Sequence, residues 1–556
     1  MVSTRGAEST SSLACRSAVT SVAALAVCVW GTSTLTACAA YPEDCSAKLA
    51  CAPDPEPPPD LCAGEPGTAP ALDKCGVFVS EQGDDNSAGT KRAPVRTLQH
   101  AIGLAAHGRS RGEAPTRRVY ACGGLFAEAI SLPQGVDLWG GRLCAGGDWS
   151  YGGPLDEQHA LTVIAPPVGI PVRVLGGDDG RIARDDTTSV IFGVRAVAAD
   201  ASARDGKSSI AMLLSPGARA FVRASEIFAG DGKDGEPGED APSFRASAGV
   251  VGNNGVDACT ADVALGALPV VTVCDDGIES TGGQGGDGGR ETGGDGTSGM
   301  PEPVGTPNNR GLAGGGASSM PCKDGERGAD GAPAERAAGA VGPGRLGLDG
   351  WVGVRGKDGE KGGAGQGGGG GGGGKGRDDM NACPAGRPQS GAAGGSGGSG
   401  GCGGKGGKGG GYGGASIAIV ALQGSDLTVG DDSTVLGAKG GNGGVGGTGQ
   451  WGGFGWDGGR GGRGSVTDTS RGCDGGSGGH GGRGGDAGGG LGGHSLGIGS
   501  VGASVTILPR ATVSPGQPGT GGLGGNATPE SHSGQGHDGT KVFWYRFDAP
   551  DPEPPQ

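Results

Sequence analysis

The chain has 556 residues, of which 134 are Gly and 35 are Pro, so 134 + 35 = 169 positions, about 30 %, resist ordinary helix or strand. That share marks low-complexity or fibrous segments. The formal charge of 44 − 59 = −15 argues against nucleic acid as a partner, because phosphate binding needs a cationic surface. Glycine is unevenly spread, with 26 of the 134 in residues 1–229 and 108 in 230–540. The first part can build a core of side chains. Most of the second cannot.

Arg5 and Arg16 precede an apolar run from Ser17 to Trp30, which is shorter than the roughly 20 residues a membrane span takes but suits a secretory signal. Directly after it, Leu35-Thr36-Ala37-Cys38 resembles the lipobox of bacterial lipoproteins. The resemblance implies cleavage after residue 37 and a lipid on Cys38, and Ala39 after it implies the outer membrane, on its periplasmic or cell-surface face. The competing reading is an ordinary signal peptide with an incidental Cys. Twelve further cysteines follow: Cys45, Cys51, Cys62, Cys75, Cys122, Cys144, Cys259, Cys274, Cys322, Cys383, Cys402 and Cys473. An even number in an exported chain reads as disulfides. Cys122–Cys144 and Cys259–Cys274 are plausible pairs by proximity, although spacing does not fix connectivity. No CxxC pair supports a metal site.

Residues 38–74, rich in Pro, Ala and acids, read as a tether, and 549–556 as a disordered tail. From 75 to 230 the text changes. GVFVS (76–80) alternates like a strand, 97–106 (TLQHAIGLAA) places Leu98, Ala101, Ile102 and Ala105 on one helical face, and short strand candidates recur at 119–122, 129–132, 136–139, 161–165, 172–175 and 189–194. A repeat then appears. Ser209-Ile210-Ala211-Met212, Ser416-Ile417-Ala418-Ile419 and Ser495-Leu496-Gly497-Ile498 each lead through a turn to a second apolar strand, with Val222, Val429 and Ile507, and then to a Gly-rich stretch. Each unit is too small to bury its apolar side alone, so the expectation is stacking into one all-β solenoid, with 415–437 and 494–548 as further coils. Ile210, Ile417 and Leu496 would form one inward ladder and Val222, Val429 and Ile507 another. Strand 542–545 would close the last coil.

The runs GVFVSEQGDDNSAGTKRAPVRTLQHAIGLAA and RRVYACGGLFAEAISLPQGVDLWGG resemble the start of pectin-lyase-like right-handed parallel β-helices. The match covers 76–144 and continues more weakly to 230. It implies that 97–106 caps the first coil and protects its edge from pairing. The Gly-rich inserts at 231–414 and 438–493 superficially resemble mycobacterial PGRS repeats. Their GGx text admits flexible coil or packed polyglycine-II helices. Gly at every third position from Gly344 to Gly368 also matches collagen, but the frame breaks on both sides and Pro343 is the only proline near it.

Two patterns could carry chemistry. GGQGGDGGR (282–290) and GGRGGDAGG (481–489) approach the calcium β-roll repeat through Asp287 and Asp486, but Gly289 and Gly488 stand where that repeat needs an apolar side chain. Asp178, Asp179, Arg181, Arg184, Asp185 and Asp186 form a cluster similar in composition to the calcium-binding acids and Arg base of pectate lyases. They sit in one loop, though, and a solvated turn accounts for them. The seven histidines are scattered, and no nucleophile–base pattern stands out. The expected function is a non-enzymatic, lipid-anchored surface scaffold, with no cofactor, whose partners are the membrane and extracellular polysaccharide or other surface proteins. The alternative is a polysaccharide-active β-helix enzyme, lyase or hydrolase.

Overall fold

A computed structural model describes residues 60–153, 161–177, 188–202, 208–302, 310–377 and 383–548. These residues are mostly β-sheet and extended chain, with one α-helix, Leu98–His107. Three long sheets dominate, and all their strand pairs are parallel. The first holds Val77–Val79, Arg118–Cys122, Asp137–Arg142, Ser189–Phe192, Arg219–Arg223, Asp426–Val429 and Ser504–Ile507. The second runs Gly124–Phe126, Thr162–Ile164, Val194–Val197, Glu226–Phe228, Thr434–Leu436, Thr512–Ser514. The third runs Ile130–Leu132, Val172–Val174, Ser209–Leu214, Ser416–Ala421, Ser495–Val501, Lys541–Phe547. From residue 118 the chain visits the first, second and third sheets in turn, and each pass lies beside the one before.

The repeat units are neighbours in register. Ser209 pairs with Ser416 and Ser416 with Ser495, while Val222 pairs with Val429 and Val429 with Ile507. Strand Lys541–Phe547 extends the third sheet, with Leu496 opposite Val542. The three Gly-rich excursions all leave at one corner, after Phe228, Leu436 and Ser514, and return into the third sheet. The last, 515–540, follows the third repeat unit as the Gly-rich stretches follow the other two. Chain can be inserted there without disturbing the stacking, because loop-closure entropy grows slowly with length.

One ladder faces the other way from the sequence reading. The core between the sheets contains Met212, Ile419 and Ile498, together with Val222, Val429 and Leu427. Ile210, Ile417 and Leu496 belong to a second apolar cluster with Leu346, Trp351, Leu491 and Phe547, on the opposite face of the third sheet. Strand side chains alternate between faces, so a strand with both faces buried, as Ser209–Leu214 is, offers two ladders. The excursions cover the outer one.

A third cluster lies outside the first sheet, where Phe78, Tyr120, Trp139, Trp149 and Phe192 pack with Ala69, Ala71 and Cys75. The last part of the stretch read as a tether is therefore folded onto the sheet. Cys62 is bonded to Cys75, and Arg142 donates to the Pro66 carbonyl at 2.7 Å. The helix Leu98–His107 is capped by Thr97, whose hydroxyl accepts from the His100 N–H, and it buries Leu98, Ala101, Ile102 and Ala105. It packs on strands Val77–Val79, Arg118–Cys122 and Ile130–Leu132.

The Gly-rich segments form an ordered lobe in which hydrogen bonds recur at every third residue. Gly232, Gly235 and Gly238 donate to Lys439, Asn442 and Val445, so these segments run parallel. Gly441, Gly444 and Gly447 donate to Gly414, Gly411 and Lys408, so those run antiparallel. A three-residue repeat without internal hydrogen bonds is the geometry of polyproline-II-type helices. Along 475–482 the first Gly of each triplet donates to 453–459 and the second to 363–369. Neighbours this close leave no room for side chains, and a Cβ on Gly397 would lie 1.9 Å from the Gly368 carbonyl oxygen. The GGx text follows from that packing: two positions face other backbones, and the third is free to carry a side chain.

Cysteines staple the lobe across long intervals, as Cys259–Cys383, Cys274–Cys402 and Cys322–Cys473. Cys122–Cys144 is paired as proximity suggested, whereas Cys259–Cys274 is not a pair. Segments distant in sequence lie side by side in the lobe, so proximity along the chain misleads there.

Candidate interaction surface

The third residue of each triplet decides what the lobe shows. In inner segments that residue is buried and its N–H bonds to a backbone carbonyl, as at Ser396, Ser399 and Cys402. Along the outer segment 439–463 the side chain leaves the bundle, and the N–H of Lys439, Asn442, Thr448, Arg460 and Arg463 meets a side chain instead. Asp and Asn side chains from the adjacent segment repeatedly accept from that N–H. Asp231 accepts from Lys439, Asp234 from Asn442 and Asp240 from Thr448, while Asn254 accepts from Arg460, Asp257 from Arg463 and Asp330 from His480. Burial pushes the Asp330 carboxyl up, but the His480 N–H and Arg327 outweigh it and hold it below the usual range. The Lys408 ammonium and the Gly409 N–H do the same for Asp358.

Both weak calcium candidates have this role. Asp287 accepts from the Gly266 N–H at 2.7 Å. Asp486 is buried and accepts from the Gly449 N–H at 2.9 Å and from Arg483 at 2.6 and 3.0 Å, with Arg336 at 3.6 Å. Its burial raises the carboxyl pKa, and Arg483, Gly449 and Arg336 bring it below the ordinary value. Among the described residues no three His, Cys, Asp or Glu side chains converge as a metal site would require. Cys38, Cys45, Cys51 and the cluster Asp178, Asp179, Arg181, Arg184, Asp185 and Asp186 lie outside the described residues.

A cleft of about 950 Å³ lies beside Cys122–Cys144 and includes Glu81, Lys91, Asp148 and Trp149. Its polar groups are already engaged. Glu81 accepts from the Leu125 N–H, Lys91 donates to the Asp148 carbonyl at 3.3 Å, and the Asp148 carboxylate accepts from the Ser150 hydroxyl at 2.8 Å. The cleft thus offers walls but no free acid–base pair from these three.

Aromatic residues mark a different place. On segment 439–463 the third-position residues include Trp451, Phe454, Asp457, Arg460 and Arg463, all exposed. The Arg245 guanidinium from the neighbouring segment lies 4.2 Å above the Phe454 ring and 5.6 Å from that of Trp451, and it donates to the Gly452 carbonyl at 2.9 Å. His480 meets Phe454 edge to face and accepts from the Gly455 N–H at Nδ1. Exposed apolar side chains gathered in one place, unlike ones scattered singly, mark interaction sites. The row has a signal in the sequence that composition alone does not reveal, an aromatic at the x position of GGx in consecutive triplets, Trp451 and Phe454.

No helix among the described residues is long and apolar enough to cross a membrane. No family model, no curated protein and no solved structure matches this chain.

Proposed function

We propose that the protein is a non-catalytic surface scaffold, tethered to the outer membrane by lipid on Cys38, whose sheet body holds the glycine lobe out for display. In this reading the body is a right-handed parallel β-helix of the pectin-lyase-like kind, and the helix Leu98–His107 is its cap. The parallel register of successive passes and the seat of the helix on strands from two sheets support that part. The observation that carries the function is the lobe itself. Its backbone groups are spent internally, so what it offers a partner is a fixed array of third-position side chains. An enzyme keeps polar groups unspent in a cleft; this chain lines up side chains on a rigid outside. Replacing Cys38 by Ser tests the anchoring. Fatty-acid labelling should disappear and the protein should move to the soluble fraction; a variant that remains in the outer membrane would overturn it.

A further inference from the structure

We propose that the row Trp451, Phe454, Asp457, Arg460, together with Arg245 and the nearby Trp456, is a binding track for an extended, uncharged polysaccharide. Three observations lead there. Trp451, Phe454 and Trp456 are 56, 49 and 47 % exposed, whereas aromatics such as Phe78, Tyr120 and Trp149 are packed in a buried cluster. The row is straight and stiff, because it belongs to one extended segment hydrogen-bonded to its neighbours at every third residue. At roughly 3.1 Å per residue, successive row positions stand about 9 Å apart, which suits a polymer that repeats its flat faces in line better than a compact ligand.

The chemistry narrows the polymer. Ring faces carry partial negative charge and attract weakly positive C–H groups, and the flat face of a pyranose ring presents such groups. Beside the rings stand Arg245, Arg483 and His480, and the exposed Asp457 and Arg460 follow on the same segment, donors and acceptors suited to hydroxyls. Among the described residues Arg245 has no ion-pair partner; its guanidinium is held by a carbonyl and two rings. Both signs occur along the row, and the whole chain carries −15, so a polyanion or polycation would meet its like charge. A neutral chain of sugars would not. A nucleic acid offers stacking faces too, but its phosphates meet the same repulsion. The site lies on the lobe, away from the cleft at Cys122–Cys144, and does not depend on attachment through Cys38.

The test uses the chain from residue 39 onward with its disulfides intact, in affinity electrophoresis through gels containing barley β-glucan, alginate or no polymer. A soluble N-acetylglucosamine oligomer and a single-stranded oligonucleotide are titrated separately. The expected result is retardation by β-glucan or binding of the oligomer, with Trp451→Ala or Phe454→Ala each weakening it about tenfold and Lys439→Ala leaving it unchanged. Because the two rings are exposed, the variants should keep the parent's melting temperature, which verifies that they fold. Absence of binding to both neutral glycans overturns the proposal. So does binding undiminished in the Trp451→Ala/Phe454→Ala double variant, or tighter binding to alginate or the oligonucleotide. Since the chain used in this test lacks Cys38, failure here leaves the membrane tethering to be judged by the Cys38→Ser result alone.

Discussion

The three-sheet body and the glycine lobe solve the same problem, a backbone that must be satisfied, by opposite means. In the body, ladders of parallel strands bond one pass to the next, and apolar side chains such as Met212, Ile419 and Ile498 supply the stabilising burial between the sheets. In the lobe the centre contains hardly any side chains, and backbones touch backbones in a period of three. Glycine has the largest ordering entropy of any residue, so this packing needs other support. It comes from three disulfides and from docking on the outer face of the third sheet, where Ile417 and Leu496 meet Leu346 and Trp351. The body can therefore be weakened one side chain at a time, whereas the lobe depends on its staples.

The largest expected effect follows from that. The bonds Cys259–Cys383, Cys274–Cys402 and Cys322–Cys473 span 124, 128 and 151 residues, and closing a loop of about 100 residues contributes ~4.7 kcal/mol in the chain-entropy treatment. Replacing both members of Cys274–Cys402 by Ser should lower lobe stability by about 4 kcal/mol. Hydrogen exchange should show the loss at 392–414 while strands Asp137–Arg142 and Ser189–Phe192 keep their protection. Equal loss in both regions would mean that body and lobe unfold as one unit, and the comparison would fail.

Next in size is a paired test of the third sheet. Met212→Ala removes a side chain packed between the sheets, and Ile210→Ala one packed against the lobe; each is buried and should cost about 3 kcal/mol. Protease sensitivity should separate them, with the first exposing the body and the second the lobe.

The sequence made the stacking legible because Ser209, Ser416 and Ser495 open matching units, and the structure pairs them in register. It did not say which face of those strands points inward. Alternation marks two faces, and choosing between them requires knowing what covers the outside, here a lobe whose own text looks uniform. The same uniformity hid the pairing of Cys259 with Cys383. It also hid the role of Asp287 and Asp486, which resemble calcium ligands locally but receive backbone N–H groups from segments outside their own motif. The order of the lobe was half legible: GGx admitted three-fold helices as well as flexible coil, and nothing in one triplet names its neighbours.

A smaller effect is expected from pH at the seam between the two regions. His494 is buried, with Nε2 2.8 Å from the Pro343 carbonyl and Nδ1 accepting the Thr540 N–H at 2.8 Å. Burial lowers its pKa from 6.5, against a raising effect of the Pro343 contact, so the folded protein favours the neutral ring. That contribution is complete above the unfolded value and is lost as pH falls from about 6.5 through the folded pKa. The carboxyls of Asp330, Asp358 and Asp486 are also held below the usual carboxylate range in the folded state, so their contributions fade only below about pH 4. Melting temperature against pH should fall in two stages, and His494→Gln, which can keep both hydrogen bonds, should remove the upper one. A melting temperature flat from pH 7 to 5 would refute the assignment.

The smallest effect concerns the carboxylates that tie off the lobe's surface. Asp234 accepts from the Asn442 N–H at 2.6 Å, and both residues lie at third positions of parallel neighbours. The site borders solvent, so when the carboxylate is removed water can take its place at that N–H, and the loss should be the net value of one hydrogen bond, about 1 kcal/mol or less. Asp234→Asn retains an acceptor oxygen of the same shape and should cost still less, unless the charge itself matters. Asp231, Asp234 and Asp240 repeat the contact along one edge, so the triple Ala variant should lose roughly the sum of three small terms, since separated sites add. The triple Asn variant should stay near the parent. Chemical denaturation of the two triple variants checks this, and equal losses in both would show that charge rather than the amide contact sets the value of Asp in this edge.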